Sequence, residues 1–238
     1  MKNYACVFIL LFFASLAFAQ PRFQFGASFA VGVPQNDFRD NIDNNGYGMK
    51  GHFAYNLPRT PFWLGGQVGF LIYGHEARKE AFSSTIPDVT VDVNTNYSIL
   101  LGHLMLRVQS PVGSVRPYLD GLLGFNYFST TTDIESEDWI DNDNDSRIAS
   151  STNQSDMAFS YGAGGGVMIR VWHEVDKKKN TTLAAVFVDA GVQYIRGNEA
   201  EYLKKGSRWV DENNRVNWQV YKSTTDLIQV NVGVSFAF

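Results

Sequence analysis

The chain ends on Leu227-Ile-Gln-Val-Asn-Val-Gly-Val-Ser-Phe-Ala-Phe238, and this stretch decides the fold. From Ile228 onward, large apolar residues occupy every second position, and Gln, Asn, Gly, Ser and Ala alternate with them. Side chains of a β-strand point to opposite faces with a period of two, so the stretch predicts a strand with one apolar face and one small or polar face. An exposed apolar strand pairs readily with other chains, whereas a sheet that closes on itself in lipid has no free edge. We therefore expect a closed barrel in a membrane.

The amino-terminal residues 1–19 have the pattern of a secretory signal peptide. Lys2 precedes an apolar run from Ala5 to Leu16, and Ala17-Phe-Ala19 supplies the small residues of a cleavage site. The run is too short to span a membrane, although a retained helical anchor is the alternative interpretation. We predict cleavage after Ala19, which leaves residues 20–238 as one barrel domain that is exported across the inner membrane.

The composition argues against several classes of protein. The 24 acidic residues exceed the 20 basic ones, and the formal net charge is −4. Nucleic-acid binding usually requires a basic patch, so no nucleic-acid partner is expected. No run of 18 apolar residues follows residue 20, which argues against a transmembrane helix. The single cysteine, Cys6, lies in the predicted signal, so the exported chain would hold no disulfide.

Eight strand-like runs follow one another along the chain. They are 22–33, 46–57, 62–74, 94–109, 116–128, 157–171, 183–196 and 227–238. In the fourth run the residues around Ile99 and Leu104 fall on opposite faces, and a β-bulge near Gly102 would reconcile them. The connections alternate between long and short, as in barrels with long outer loops and short periplasmic turns.

These patterns predict an all-β fold, an eight-stranded antiparallel up-and-down transmembrane β-barrel. The alternative is a soluble barrel of the lipocalin type, with apolar residues turned inward, because alternation alone does not distinguish inside from outside. The Gly, Ser, Asn, Gln and charged character of one face, together with the unequal loops, favours the membrane barrel.

Charged residues on the polar face predict a cluster inside the barrel. Arg107, Asp120, Arg170 and Asp189 lie on four consecutive predicted strands and alternate in sign. An eight-stranded barrel is just wide enough to be filled by side chains, and buried charges must be paired. We expect an internal salt-bridge cluster that acts as a structural plug. The alternative is a gated path for ions or protons.

Aromatic residues are expected in two belts at the membrane surfaces. For the periplasmic belt we predict Phe62, Trp63, Tyr118, Trp172, Phe236 and Phe238. For the outer belt we predict Phe70, Tyr73, Tyr97, Tyr127, Phe128, Phe159 and Tyr194.

Two long outer loops differ in charge. In the third, Asp141, Asp143 and Asp145 resemble the start of a calcium loop, but Ser146 and Thr152 replace the expected Gly and Glu. A solvated acidic loop is the preferred interpretation, and we expect neither a metal nor a cofactor. The fourth loop is basic, and its segments 208–210 and 216–221 predict a hairpin. This loop could contact the acidic loop or the phosphates of the lipid.

No catalytic motif stands out. The four histidines, His52, His75, His103 and His173, are scattered, and no G-x-S-x-G, H-E-x-x-H or phosphate loop occurs. We therefore do not expect an enzyme.

The chain resembles the small eight-stranded outer-membrane barrels of the OmpA/OmpX type, and especially the barrel-only outer membrane protein β-barrel domain and PorT-like proteins. The resemblance rests on the signal peptide, on Tyr161-Gly-Ala-Gly-Gly-Gly-Val167 and on Val232-Gly-Val-Ser-Phe-Ala-Phe238. It implies a location in the outer membrane, in contact with its lipid and lipopolysaccharide. It also implies that the last strand is the signal read by the barrel-insertion machinery. The residues of that assembly signal would be Val232, Val234, Phe236 and Phe238.

Three functions are compatible with this resemblance. The first is a structural and surface-interaction role, with four long extracellular loops above a lumen filled by side chains. The second is an accessory role in a protein secretion apparatus, as in PorT-like proteins, with other envelope proteins as partners. The third is a narrow channel for small solutes or apolar ligands, of the OmpW-like kind.

Overall fold

The computed structural model describes residues 21–83, 86–136, 147–174, 183–212 and 215–238. The predicted signal peptide lies outside these residues, and so do Asp141, Asp143 and Asp145. The described elements, in chain order, are β1 Phe23–Pro34, α1 Asn36–Asn41, β2 Gly46–Asn56, β3 Phe62–Ser83, β4 Ile86–Gln109, β5 Val115–Ser136, β6 Arg147–His173, β7 Ala185–Gly197, β8 Glu199–Tyr202, β9 Arg208–Val210, β10 Val216–Trp218, β11 Tyr221–Thr224 and β12 Leu227–Ala237.

Eight of the strands form one closed barrel. Their order around the ring is β1-β12-β7-β6-β5-β4-β3-β2, and every neighbouring pair is antiparallel. The ring closes where β1 meets β12, with Val31 opposite Val230 and Phe25 opposite Phe236. This confirms the predicted eight-stranded antiparallel up-and-down barrel.

The last strand shows which face is turned outward. Val230, Val232 and Val234 are 42%, 56% and 38% exposed, whereas Gln229 and Asn231 are almost completely buried. The same inversion runs around the barrel, with large apolar side chains outside and polar ones inside. In water such a surface would be strongly unfavourable, whereas hydrocarbon solvates it. The alternative of a soluble barrel with apolar residues turned inward is therefore wrong.

The two sides of the barrel differ in height. Strands β3 to β6 contain 22, 24, 22 and 27 residues, whereas β1, β2, β7 and β12 contain only 11 to 13. Strands β3 to β6 therefore continue above the barrel as a four-stranded sheet. Residues 75–93, which the sequence predicts as a loop, are mostly strand, because pairing between β3 and β4 continues up to Ser83 and Ile86.

Strand β4 has no bulge at Gly102, so that prediction is wrong. Its pairing with β3 and with β5 is unbroken through this region. Tyr97, Ile99 and Leu101 point inward and are buried, while Leu104 on the opposite face is 68% exposed. Along β4, the apolar residues thus lie on the inward face up to Leu101 and on the outward face from Leu104, because the interior of the barrel is apolar near its outer end.

Two of the outer connections fold over the barrel mouth. The connection between β1 and β2 carries the short helix α1. The connection between β7 and β12 carries two small antiparallel pairs, β8 with β11 and β9 with β10. Val210 lies opposite Val216, which confirms the predicted hairpin. No helix among the described residues is long and apolar enough to cross a membrane.

Candidate functional site: the lumen and its outer mouth

The half of the lumen nearer the short β2–β3 and β4–β5 turns, which is the periplasmic half in the predicted topology, holds a buried ion pair. Arg107 on β4 and Asp120 on β5 are register partners, and both side chains are at most 1% exposed. Arg107 donates from Nε to Asp120 Oδ1 at 2.7 Å and from Nη2 to Oδ2 at 3.0 Å. This two-point geometry orients the guanidinium and the carboxylate on each other, which is the arrangement that a charge pair away from water requires.

Tyr118 connects this pair to a second carboxylate. Its hydroxyl donates to Asp189 Oδ1 at 2.8 Å, and Arg107 Cζ lies 3.9 Å from the centroid of its ring. The ring fits because the neighbouring strands carry glycine: a Cβ on Gly166 or Gly191 would lie 2.5 Å from the hydroxyl oxygen. Tyr118 is predicted for the periplasmic belt, but it faces the lumen, on the same strand face as the inward Asp120.

Arg170 does not join the cluster, and its predicted place there is wrong. The register between β6 and β7 shifts between Arg170 and Trp172. The side chain lies at the turn between β4 and β5, where Nη2 donates to Ser114 Oγ at 3.2 Å. The structure thus brings together Arg107, Asp120 and Asp189, and leaves Arg170 at the periplasmic end.

A polar layer lies above the ion pair. Lys50 Nζ donates to Asn231 Oδ1 at 2.9 Å, and the amides of Gln67 and Gln193 exchange bonds of 3.0 and 3.1 Å. Gln193 Nε2 also approaches Asp120 Oδ2 at 3.4 Å, so the layer is linked to the ion pair.

His52 and His103 belong to the same lumen wall. His103 Nε2 is 2.9 Å from Ser160 Oγ, which in turn donates to Asn126 Oδ1 at 2.9 Å. Several buried polar atoms nearby have no partner within the described residues, among them His52 Nε2 and Arg107 Nη1. Buried polar atoms without a partner are uncommon in proteins, so the hydrogen bonding of the lumen wall is incomplete at these atoms. Both imidazoles are buried lumen side chains.

The outer end of the lumen is apolar and aromatic. Barrel residues Tyr73, Tyr97 and Phe128 are at most 4% exposed, and they meet Phe38 from α1 and Tyr202 from β8. We call these five residues the aromatic seal. Leu71, Ile99, Leu101 and Leu203 pack in the same cluster.

Ring contacts and two hydrogen bonds hold the seal together. The Phe38 ring centroid lies 5.3 Å from that of Tyr202 and 5.7 Å from that of Phe128, both edge-on. Tyr73 donates its hydroxyl to the Leu203 carbonyl at 2.8 Å, and the Tyr202 hydroxyl lies 2.7 Å from Ser223 Oγ. Burial raises the pKa of Tyr202, so its phenol stays neutral. The outer mouth is therefore closed by side chains from both barrel and loops.

The seal corrects the predicted aromatic belts. Tyr73, Tyr97 and Phe128 face the lumen and not the outer lipid surface, and Trp63 and Tyr118 are buried at the other end. An even number of positions separates each of these residues from an inward polar residue on the same strand, so the two have the same parity and lie on the same face of the strand. That parity is the signal that could have placed them.

The predicted assembly-signal residues lie on the lipid side of β12. Val232, Val234 and Phe236 are 38% to 56% exposed, and the Phe238 ring lies 5.8 Å from that of Phe25 on β1. The calcium candidates are outside the described residues. Within those residues, no group of three or more His, Cys, Asp or Glu side chains could hold a metal ion.

Comparisons with known proteins give matches of structure only. No family model and no curated protein sequence matches the chain. Neisserial surface protein A is 11% identical with a TM-score of 0.42, over 91% of this chain and 97% of that one. The attachment invasion locus protein Ail of Yersinia pestis is 12% identical with a TM-score of 0.36, over 92% and 100%. A major outer membrane protein of Thermus thermophilus is 11% identical with a TM-score of 0.39, over 91% and 99%.

The closed ring of strands and its apolar outer face define the class of the protein. In a closed ring of eight strands, apolar outside and polar or sealed inside, each strand pairs with two neighbours, so no sheet edge is left facing lipid. The chain is a transmembrane β-barrel with a side-chain-filled lumen.

Proposed function

We propose that the chain is an integral outer-membrane barrel with a structural and surface-interaction role, and that it is neither an open channel nor an enzyme. The aromatic seal carries this proposal. Five aromatic side chains from the barrel, α1 and β8 meet over the mouth, and none of them is more than 4% exposed. A solute path would need these rings to separate.

The lower lumen supports the same interpretation. Below the seal, the space between the strands is occupied by paired side chains such as Arg107 with Asp120, and Lys50 with Asn231. Eight strands leave room for little besides side chains, so these contacts consume the interior that a channel would use.

The part outside the membrane supports a role at the surface. The sheet extension of β3 to β6 and the loop between β7 and β12 project beyond the lipid-facing belt. Elements that exceed what is needed for spanning a membrane are natural places for binding, because loops held by a rigid scaffold commonly carry function.

The proposed partners follow from the location. The apolar belt contacts outer-membrane lipid and lipopolysaccharide, and β12 is the strand that the barrel-insertion machinery would read through Val232, Val234, Phe236 and Phe238. Envelope proteins are the partners proposed for the outer surface.

Conductance tests the proposal directly. Purified barrel in planar bilayers is expected to give no steady single-channel current, and the double variant Phe38→Ala/Tyr202→Ala is expected to give intermittent current. Steady current from the unmodified protein would overturn the proposal in favour of a narrow channel.

A deletion strain tests the cellular role. An altered set of surface proteins with an unchanged set of secreted proteins is the expected result. A defect confined to secreted proteins, with co-purified envelope partners, would replace this proposal with an accessory role in secretion.

A further inference from the structure

A second polar site lies outside the lumen, at one edge of β3. The pairing of β2 with β3 ends where Tyr47 meets Ile72, so β3 continues upward with that edge uncovered by β2. A cavity of about 320 Å³ lies against this part of β3. We call it the edge cavity, and its lining is His75, Glu76, Ala77, Arg78, Lys205, Gly206 and Arg208.

The carboxylates at the edge cavity are already occupied. Glu76 accepts from the Tyr97 hydroxyl at Oε2 and from the Gly206 backbone N–H at Oε1, both at 2.8 Å. Glu80 Oε1 accepts from Arg78 Nε at 2.7 Å and from Arg208 Nη2 at 2.9 Å. These bonds fix the loop against β3 and give each of the two acids two donors, although Glu80 itself does not line the cavity.

The cationic groups at the edge cavity have N–H donors that no described residue accepts. Three cationic side chains, Arg78, Lys205 and Arg208, stand against the two carboxylates. Arg208 Nε is buried and has no acceptor among the described residues. The Lys205 ammonium has no ion pair with any residue that the structure describes. A chain with a net charge of −4 thus carries a local excess of positive charge and unused N–H donors.

The height of the edge cavity matches the polar surface of the lipid. Ile72 is the last lipid-facing residue of β3 and is 39% exposed, and His75 follows three residues later. Three residues of strand rise about 10 Å, and less when the strand is tilted. The headgroup region extends roughly 5 to 8 Å beyond the hydrocarbon, so the cavity begins where headgroups lie.

We propose that the edge cavity binds the phosphate or carboxylate groups of an anionic glycolipid headgroup in the outer leaflet. Guanidinium and ammonium groups are the side chains that recognise such oxyanions. Lys205 would present its exposed ammonium to the anion, while the bonds from Arg78 and Arg208 to Glu80 hold the site in shape. This inference rests on the proposed outer-membrane location.

Binding by the full barrel in maltoside micelles tests the inference, with the fluorescence of the neighbouring Trp209 as one readout and native mass spectrometry as the other. The probes are inorganic phosphate, micelles that carry the bisphosphorylated glycolipid anchor of lipopolysaccharide, and micelles that carry the same glycolipid without its phosphates. The phosphorylated glycolipid alone is expected to bind. Lys205→Glu should weaken its binding by about tenfold or more, since a charge-assisted hydrogen bond is lost and a repulsive charge is added.

Two variants control for folding and net charge. Lys205→Arg keeps the cation and should bind like the unmodified protein. Arg215→Glu makes the same change in charge on the same loop but outside the edge cavity, and should leave binding unchanged.

Other results would overturn the inference. Equal binding of the dephosphorylated glycolipid would exclude anion recognition, and equal binding of free phosphate would exclude a lipid headgroup as the ligand. Equal weakening by Lys205→Glu and Arg215→Glu would mean that binding follows net charge and not the cavity. Planar-bilayer conductance is measured separately, so failure here is distinguishable from failure of the proposed function.

Discussion

The two ends of the lumen are filled by side chains of different chemistry. The periplasmic half is polar, and its central contact, Arg107 with Asp120, joins two neighbouring strands of the barrel. The outer half is aromatic, and two members of its seal, Phe38 and Tyr202, come from connections and not from the barrel. The ion pair is therefore part of the barrel itself, whereas the seal is a lid that the loops complete. This difference predicts that damage below the seal unfolds the barrel and that damage to the loop side of the seal only opens it.

The largest effect is expected from Asp120→Ala. This change leaves the Arg107 guanidinium buried without its carboxylate, and breaking a buried pair in this way costs about 3 to 5 kcal/mol. Urea titration of the folded barrel in detergent, followed by the mobility of the folded band, measures the loss. The double variant Arg107→Met/Asp120→Ala removes both charges and should recover most of the stability. Equal stability of the single and double variants would contradict a role for the unpaired charge.

A smaller and more local effect is expected from Phe38→Ala. Removing a buried aromatic ring costs about 3 kcal/mol, but here the cost falls on the docking of α1 over the mouth. Limited proteolysis within 36–41 should become faster, while the urea midpoint of the barrel stays close to that of the unmodified protein. Arg39→Ala, on the exposed side of α1, is the matched control and should change neither measurement. A fall in the barrel midpoint comparable to that of Asp120→Ala would erase the distinction between lid and barrel.

The comparison also explains how far the sequence predicts the fold. Alternation predicts the spans, because in the lipid belt outward positions are apolar and most inward positions are small or polar. It is blurred in β4, where inward residues such as Ile99 and Leu101 are apolar too. The pattern fades beyond Ile72, where His75-Glu-Ala-Arg-Lys-Glu80 reads as a loop. Above the lipid, the outer face is free to be polar, and backbone pairing between β3 and β4 continues without leaving a signal in the hydropathy.

The lumen is predictable only where charge identifies the inward face. Asp120 and Arg107 mark the parity of their strands, and that parity also places Tyr118 and Tyr97 inside. The aromatic seal is harder to foresee, because Phe38 and Tyr202 reach it through loop geometry that no local pattern encodes. Arg170 illustrates a different failure: it shares the parity of the inward Met168, but it lies at the height of Ser114 in the β4–β5 turn, and parity does not give the height of a side chain in the lumen.

Gly191→Ala tests how closely the lower lumen is packed. A Cβ at this position would lie 2.5 Å from the Tyr118 hydroxyl oxygen, so the phenol must move away from Asp189. Overpacking of this kind costs about 1 to 3 kcal/mol. Gly51→Ala is the control, because its Cβ would meet only the Gly26 carbonyl oxygen, at 3.8 Å, and faces lipid. Similar urea midpoints for the two variants would show that the contact with Tyr118 does not constrain the lumen.

The smallest effect is expected from Tyr202→Phe, which keeps the ring of the seal and removes only its hydroxyl. The lost bond is the one to Ser223 Oγ, and Ser223 still donates to the Thr224 carbonyl at 2.8 Å, so no buried hydroxyl is left without a partner. A hydrogen bond of this kind contributes about 1 kcal/mol, which should slightly increase protease access to the β8–β11 pair. Tyr202→Ala removes the ring as well and should increase that access much more, because the seal depends on ring contacts with Phe38 and Phe128. If Tyr202→Phe were as accessible as Tyr202→Ala, polar bonding and not aromatic packing would close the mouth, and the two ends of the lumen would be held by the same kind of force.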